Sequence, residues 1–411
     1  MRSQSGLLCL LLGVTIGAQA TPYEDRVATV TSIPGFVALW DFVARDADGR
    51  FVAHRPAGAV NRFELEPANY IREFWNAGRE ATYADFPLLG RGPFGQAIRI
   101  QAETDRDFRP LLQVPRARFH GSDLDIHGPG ASVTMVAWVV RESGNHAIAG
   151  IWHEGTDLNH GGAAAKVQRG MRQYALFAGL EFPGAACAHV SENGAASFGD
   201  IYAHHKPTTA ALMATIRPDA TPEQVDAAWS TVGLTFDNAR DEAAAWLNGQ
   251  LSPRWDEAPI RDAFVTGAWA GSAKCPADQR YNPPETKTVS VKPLSETATE
   301  RVELREYPYT KVKVTLRRDG DDWQPAGREL VAVRKNPWWF PYDIYTPPSV
   351  ELGGPFTIGR VVHMGRSVGF TGYIGGVAVF RRALSAEEMA SLATLATPLT
   401  GSADALVRNG P

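Results

Sequence analysis

The residues best suited to chemistry gather between about positions 148 and 207. Four stretches carry them: IAGIWHEGTDLNH (148–160), RGMRQYALF (169–177), CAHVSENG (187–194) and GDIYAHHKP (199–207). Five of the ten histidines fall here: His153, His160, His189, His204 and His205. Strand alternation sets Ile151 and His153 on one face, with Trp152 and Glu154 on the other. The same rule gives Arg172 and Tyr174 a shared face, away from Gln173. With neighbouring strands in register, His153, Arg172, Tyr174 and His189 would converge on one concave surface.

Such a set fits proton abstraction beside a carboxylate. An arginine would neutralise the acid group while a tyrosine or histidine moves the proton. Hydrolysis of a glycosidic bond would instead need two carboxylates flanking it, and Glu154, Asp157, Glu181 and Asp200 are the candidates. His204 and His205, with His153 or His189, are of the right type for a metal. Adjacent strand residues face opposite ways, however, which hinders chelation of one ion by the pair. The plain alternative is that these polar groups only hydrogen-bond the surrounding loops.

A second stretch, RKNPWWFPYDIY (334–345), packs two tryptophans, a phenylalanine and two tyrosines around prolines. The prolines are expected to keep it out of the central sheet. Rigid rings suit the apolar faces of sugars, so Trp338, Trp339 and Tyr342 form a candidate binding wall, with His204 and His205 as further ligand contacts. The competing reading makes the rings a satellite core.

The elements that must position these residues are mostly strands. GFVALWDF (35–42) and SVTMVAWVVR (132–141) are apolar on both faces, as in strands covered on both sides. STVGLTFDN (230–238) alternates cleanly, and Asn248-Gly249 is the strongest hairpin signal. FTIGRVV (356–362) and GFTGYIGGVAVF (369–380) add two strands. The one convincing helix is in LSAEEMASLATLA (384–396), with Ser385 and Glu388 as a capping box. Many short strands with turn signals predict an all-β, two-sheet antiparallel jelly-roll sandwich with a short C-terminal helix. Residues 251–355 differ in texture and include a charged hairpin turning near Asp319-Gly320, so they read as a structured insertion. The expected organisation is one domain over 21–395 and a tail over 396–411.

A net charge of -4 provides no whole-chain attraction to nucleic acid or anionic membrane. Residues 1–20 read as a secretory signal peptide, with Arg2, an apolar run from Leu7 and a small-residue site ending at Ala20. No later stretch reaches the ~20 apolar residues of a membrane span. The expectation is therefore a secreted or periplasmic protein that does not insert in a membrane. Cys187 and Cys275 remain after cleavage, and in an oxidising compartment a disulfide between them is expected.

In order, FVALWDF, FGQAIRIQ (94–101), VTMVAWVVR, WSTVGLTFDNARDEAAAWLNGQL (229–251), FTIGR and GFTGYIGGVAVFRRALSAEEMASL (369–392) resemble the laminin G-like members of the concanavalin A-like lectin/glucanase jelly rolls. The resemblance omits 151–221 and the insertion. It implies two face-to-face sheets with ligands on a concave face, and members that include sugar-binding modules, glycosidases, polysaccharide lyases and adhesion modules. The Glu-x-Asp-x-x-Glu strand of the superfamily's glucanases is missing, which sets lyase ahead of hydrolase. Many laminin G-like domains bind calcium. Asp41 is the matching acid here, but Gly375 and Gly376 occupy the place of the later one, and RDADGR (45–50) also reads as a plain turn. The leading expectation is a polysaccharide-binding protein, with a degrading enzyme second and an adhesion module third.

Overall fold

The computed structural model describes residues 21–153, 171–180, 182–194, 206–257, 283–362 and 369–399. Among these, two seven-stranded antiparallel sheets form the sandwich. The first runs in the order Phe36–Trp40, Thr371–Phe380, Val133–Ser143, Ser230–Asp237, Glu242–Leu247, Trp338–Trp339, with Ile98–Ile100 also paired to Thr371–Phe380. The second runs Glu66–Asn69, Pro110–Val114, Phe356–Ile358, Ala147–His153, Met171–Ala178, Ala185–Val190, Thr208–Leu212. Val133, Met135, Ala137 and Val139 of the first sheet meet Ile151, Tyr174, Leu176 and Val190 of the second in one buried layer. Removing both apolar faces from water is the main force holding the sheets together.

The first sheet is apolar on its other face too, and helices explain why. Val136, Trp138 and Val140 pack with Val30 of helix Pro22–Thr31 and with Met389 and Leu392 of helix Ala386–Ala393. The Trp138 indole N–H donates to the Leu392 carbonyl at 3.0 Å. Ser385 and Glu388 form the expected capping box. The N-terminal helix adds to the one helix expected, and its own capping box, Thr21 with Glu24, is present in the sequence.

Asn248 and Gly249 form a turn with positive φ at both residues, but no hairpin follows. Beyond the turn, Gln250 makes a single bridge to Leu247. The free side of Glu242–Leu247 is taken instead by Trp338–Trp339. Gly249 also admits the C-terminal helix, since a Cβ there would lie 2.7 Å from the Ala390 Cα.

The insertion forms a five-stranded sheet in the order Arg254–Asp256, Asp322–Asn336, Thr310–Asp319, Glu300–Glu306, Ser290–Glu296. Its long hairpin turns at Gly320, as the sequence indicates. Val312, Val314 and Leu316 give it a small core of its own.

Candidate functional site on the outer face of the second sheet

Two β-bulges between strands Ala147–His153 and Met171–Ala178 set which side chains reach this face, and the second of them places Arg172. Ile151 pairs with Tyr174, but the next residue, Trp152, pairs with Arg172. Gln173 is therefore the unmatched residue of a β-bulge, which breaks the two-residue alternation of its strand. Tyr174, Leu176 and Ala178 point into the sandwich. Arg172 joins the outer face, its guanidinium carbon 5.3 Å from the Trp152 ring centroid. The expectation that Arg172 and Tyr174 share a face is thus corrected by the bulge.

Around Trp152 the outer face is aromatic and basic. The His189 ring lies 5.0 Å from that of Trp152 and 4.5 Å from that of Phe177, while His146 meets Phe177 at 5.1 Å. Ala147, Ala175, Cys187 and Val361 complete the apolar floor. Trp152, His146 and His189 are buried; Arg172 and Lys206 are half-buried. Burial pushes the His189 imidazole well below its ordinary pKa, and the positive charges of Lys206, His146 and Arg172 push the same way. His189 is consequently neutral at pH 7, with cations near it.

The bulge is tied down from the core side. Gln173 accepts a hydrogen bond from Arg116 Nη1 at 2.6 Å and donates to the Ile126 carbonyl at 3.2 Å. Arg116 in turn lies 2.5 Å from Asp125 Oδ1 through Nη2. Asp125 Oδ2 is met by His120 Nδ1 at 3.0 Å and by the Gly121 N–H at 2.9 Å. These groups carry no motif in the sequence: Arg116, His120, Gly121 and Asp125 come from one short stretch, and Gln173 joins them from a strand 57 positions beyond Arg116.

The remaining expected residues divide. His153 is buried and follows Trp152, so alternation turns it to the opposite face from Arg172 and His189. Tyr174 is fully buried, its hydroxyl 3.4 Å from the Leu124 carbonyl, and burial raises its pKa first, followed by the charge of Asp125. The sheet thus brings together Arg172 and His189 of the expected set and separates His153 and Tyr174 from them. Glu154, Asp157, Glu181, Asp200, His160, His204, His205 and Cys275 lie outside the described residues. Cys187 is buried on the outer face of its strand.

The aromatic segment is also corrected. Trp338 and Trp339 enter the first sheet as its edge strand, paired with Ala243 and Glu242. An edge position tolerates the flanking prolines. Trp338 is 1% exposed and part of the main core, whereas Trp339 is half-buried and Tyr342 is exposed. Trp338 is therefore a core side chain, not part of a binding wall.

Asp41 is enclosed by donors. Its Oδ1 accepts from the Val43 and Ala44 N–H groups, each at 2.9 Å. Its Oδ2 accepts from the Tyr23 hydroxyl at 2.7 Å and lies 2.7 Å from His54 Nε2. A calcium ion would have to displace these contacts, so the residue expected as a ligand is a structural acceptor. Asp46 closes a local turn, accepting from the N–H groups of Asp48 and Arg50. Among the described residues, no group of three or more His, Cys, Asp or Glu side chains is arranged to hold a metal ion.

No protein-family model matches the sequence, and no curated protein matches it. Solved structures give distant similarities. Domain 4 of AbnA, an extracellular arabinanase from Geobacillus stearothermophilus in complex with arabinotriose, is 9% identical, covering 87% of this chain and 98% of that one at a TM-score of 0.39. Trypanosoma rangeli sialidase in complex with sialic acid is 10% identical, covering 90% of this chain and 37% of that one at 0.34. A botulinum neurotoxin type C structure, concerned with two ganglioside molecules, is 7% identical, covering 90% and 53% at 0.34. At such scores none of them carries function across to this chain. No helix among the described residues is long and apolar enough to cross a membrane.

Proposed function

We propose that this chain is an exported carbohydrate-binding protein of the laminin G-like jelly-roll type, and that its ligand is an acidic polysaccharide. The observation that carries the reading is the Arg172 guanidinium over the Trp152 ring, with Lys206 near enough for its charge to act on His189. The rings beneath, Trp152 and Phe177, are buried, and they support the guanidinium from below while the charged groups face outward. Fixed cations favour the carboxylates of a uronate polymer. Arg172 and Lys206 keep the partial exposure that contact with a ligand requires. Export after cleavage near Ala20 and a Cys187–Cys275 disulfide belong to the same proposal.

A panel of neutral and acidic polysaccharides tests it. Polyuronates should bind best, and added salt should weaken them. Arg172→Ala should remove most of that affinity. Equal binding of neutral polymers, or an unchanged affinity in Arg172→Ala, would sink the reading.

A second reading, a polysaccharide lyase, draws on the neutral His189. An unprotonated imidazole can take the proton from the carbon beside a carboxylate that Arg172 neutralises. That C–H electron pair forms the double bond as the glycosidic C–O bond breaks, and the leaving oxygen takes a proton from the imidazolium or water. Tyr174 takes no part, being in the core. Absorbance from unsaturated uronate ends, lost in His189→Gln with binding retained, would separate the enzyme from the binder.

A further inference from the structure

We infer that Gln173 is a positioning residue for the ligand-facing site: tied to Arg116 and Ile126 in the core, it fixes the bulge that turns Arg172 outward beside Trp152 and His189. For the ligand it affects, the inference rests on the acidic-polysaccharide reading; for the geometry it does not.

Without an unmatched residue, Arg172 and Tyr174 would share a face, and that face is the interior of the sandwich. A guanidinium forced there would have to be desolvated among Ile151, Leu176 and Val190. The bulge avoids this by using Gln173 as the extra residue, and the Gln173 side chain is what the core can hold. Its amide meets one donor and one acceptor, Arg116 Nη1 at 2.6 Å and the Ile126 carbonyl at 3.2 Å. The backbone is held on the same side of the strand: the Gln173 carbonyl accepts from the Ser191 N–H at 2.9 Å, and the Arg172 N–H donates to Gly194 at 3.2 Å.

Arg116 is itself fixed from two further directions. Asp125 pairs with its fork, and the backbone of Gly353 lies against the guanidinium, where a Cβ would come within 2.6 Å of Nε. The chain of contacts from Asp125 through Arg116 to Gln173 thus ends one residue from Arg172. A planar, five-donor guanidinium can hold a carboxylate and an amide at once, which a lysine cannot do with the same geometry.

The test compares Gln173→Asn with Arg172→Ala in the full chain, using two readouts. The first is the titration of His189 by NMR of ring-labelled histidine. Loss of a positive neighbour raises an imidazole pKa, so Arg172→Ala should move His189 upward. Gln173→Asn, one methylene short of Arg116, should move it upward by a similar amount. The second readout is affinity for polygalacturonate, which should fall roughly tenfold in each single variant, the size expected for one charge-assisted contact. The double variant should add little to either effect.

The inference is overturned if Gln173→Asn leaves His189 and the affinity at wild-type values while Arg172→Ala changes them, or if the two effects simply add. Should Gln173→Asn fail to fold, Arg116→Lys serves in its place with the same expected shifts and the same overturning result. If the wild-type chain binds no polyuronate, the proposed function falls, while the His189 titration still decides the role of Gln173.

Discussion

His54 Nε2 lies 2.7 Å from Asp41 Oδ2, the same oxygen that accepts the Tyr23 hydroxyl proton. This contact fastens the N-terminal helix, which carries Tyr23, to the edge of the first sheet, which leads into Asp41. Burial alone would lower the His54 pKa, but the hydrogen bond and charge of Asp41 outweigh it and raise the imidazole. Burial alone would raise Asp41, but His54 first, then the Ala44 N–H and Tyr23, hold it below the ordinary range.

The pH dependence follows from those two directions. The His54 contribution is complete below the unfolded histidine pKa of about 6.5 and is lost as pH rises through the higher folded value. The Asp41 contribution is complete above the unfolded value of about 3.9 and is lost as pH falls through the lower folded one. Protection of the amides in helix Pro22–Thr31, taken relative to their intrinsic exchange rates, should therefore be greatest between the two limbs. His54→Gln should abolish the alkaline limb and keep the acid one; an unchanged alkaline limb would exclude the contact as its origin. Asp41→Ala, which strands the partner groups, should cost about 3 kcal/mol in denaturant unfolding.

Trp338 is a core residue, so Trp338→Ala should destabilise by about 3 to 5 kcal/mol. Polysaccharide affinity, measured under conditions where the variant is folded, should not change. Tyr342→Ala should cost less, about 0.5 to 1.5 kcal/mol, because its outer ring packs edge-on against Phe340 with centroids 5.3 Å apart. A large affinity loss in Trp338→Ala at matched stability would restore it to the binding surface.

Tyr174→Phe separates the observed register from simple alternation. The tyrosine ring is inside and its hydroxyl makes one long contact to Leu124, so the variant should lose less than about 1 kcal/mol. It should bind polyuronates as the parent does. If turnover is found, Tyr174→Phe should leave its rate intact, whereas loss of the rate would place the hydroxyl in the reaction.

The proposed Cys187–Cys275 bond has a direct check. The exported protein should resist thiol labelling until it is unfolded and reduced. Removing the bond through a double serine variant should lower stability by about 4 to 5 kcal/mol on the chain-entropy view. Labelling of both thiols in unfolded, unreduced protein would disprove the pairing.

Much of the sandwich is legible in the residues. The runs at 36–40, 133–143, 230–237 and 371–380 are strands because their β-branched and aromatic residues suit a pleated surface. Ser385 and Glu388 start a helix because they satisfy each other's backbone donors. The double-sided apolar pattern of 133–143 correctly announces cover on both faces. It does not say that one cover is a pair of helices, since Trp138 and Leu392 meet across 254 positions of sequence.

The site was legible as residue types and illegible as an arrangement. Arg172 and His189 were recognisable as chemistry-bearing groups, yet their grouping with Trp152 depends on a bulge held by Arg116, which lies 57 positions before Gln173. Short-range periodicity records which residues prefer a strand, because that preference acts through neighbours along the chain. Which face each one finally takes depends on partners brought from distant loops, and one unmatched residue reverses it. Trp338 shows the same division: its prolines and rings were plain in the sequence, but only the vacant edge beside Ala243 made it core.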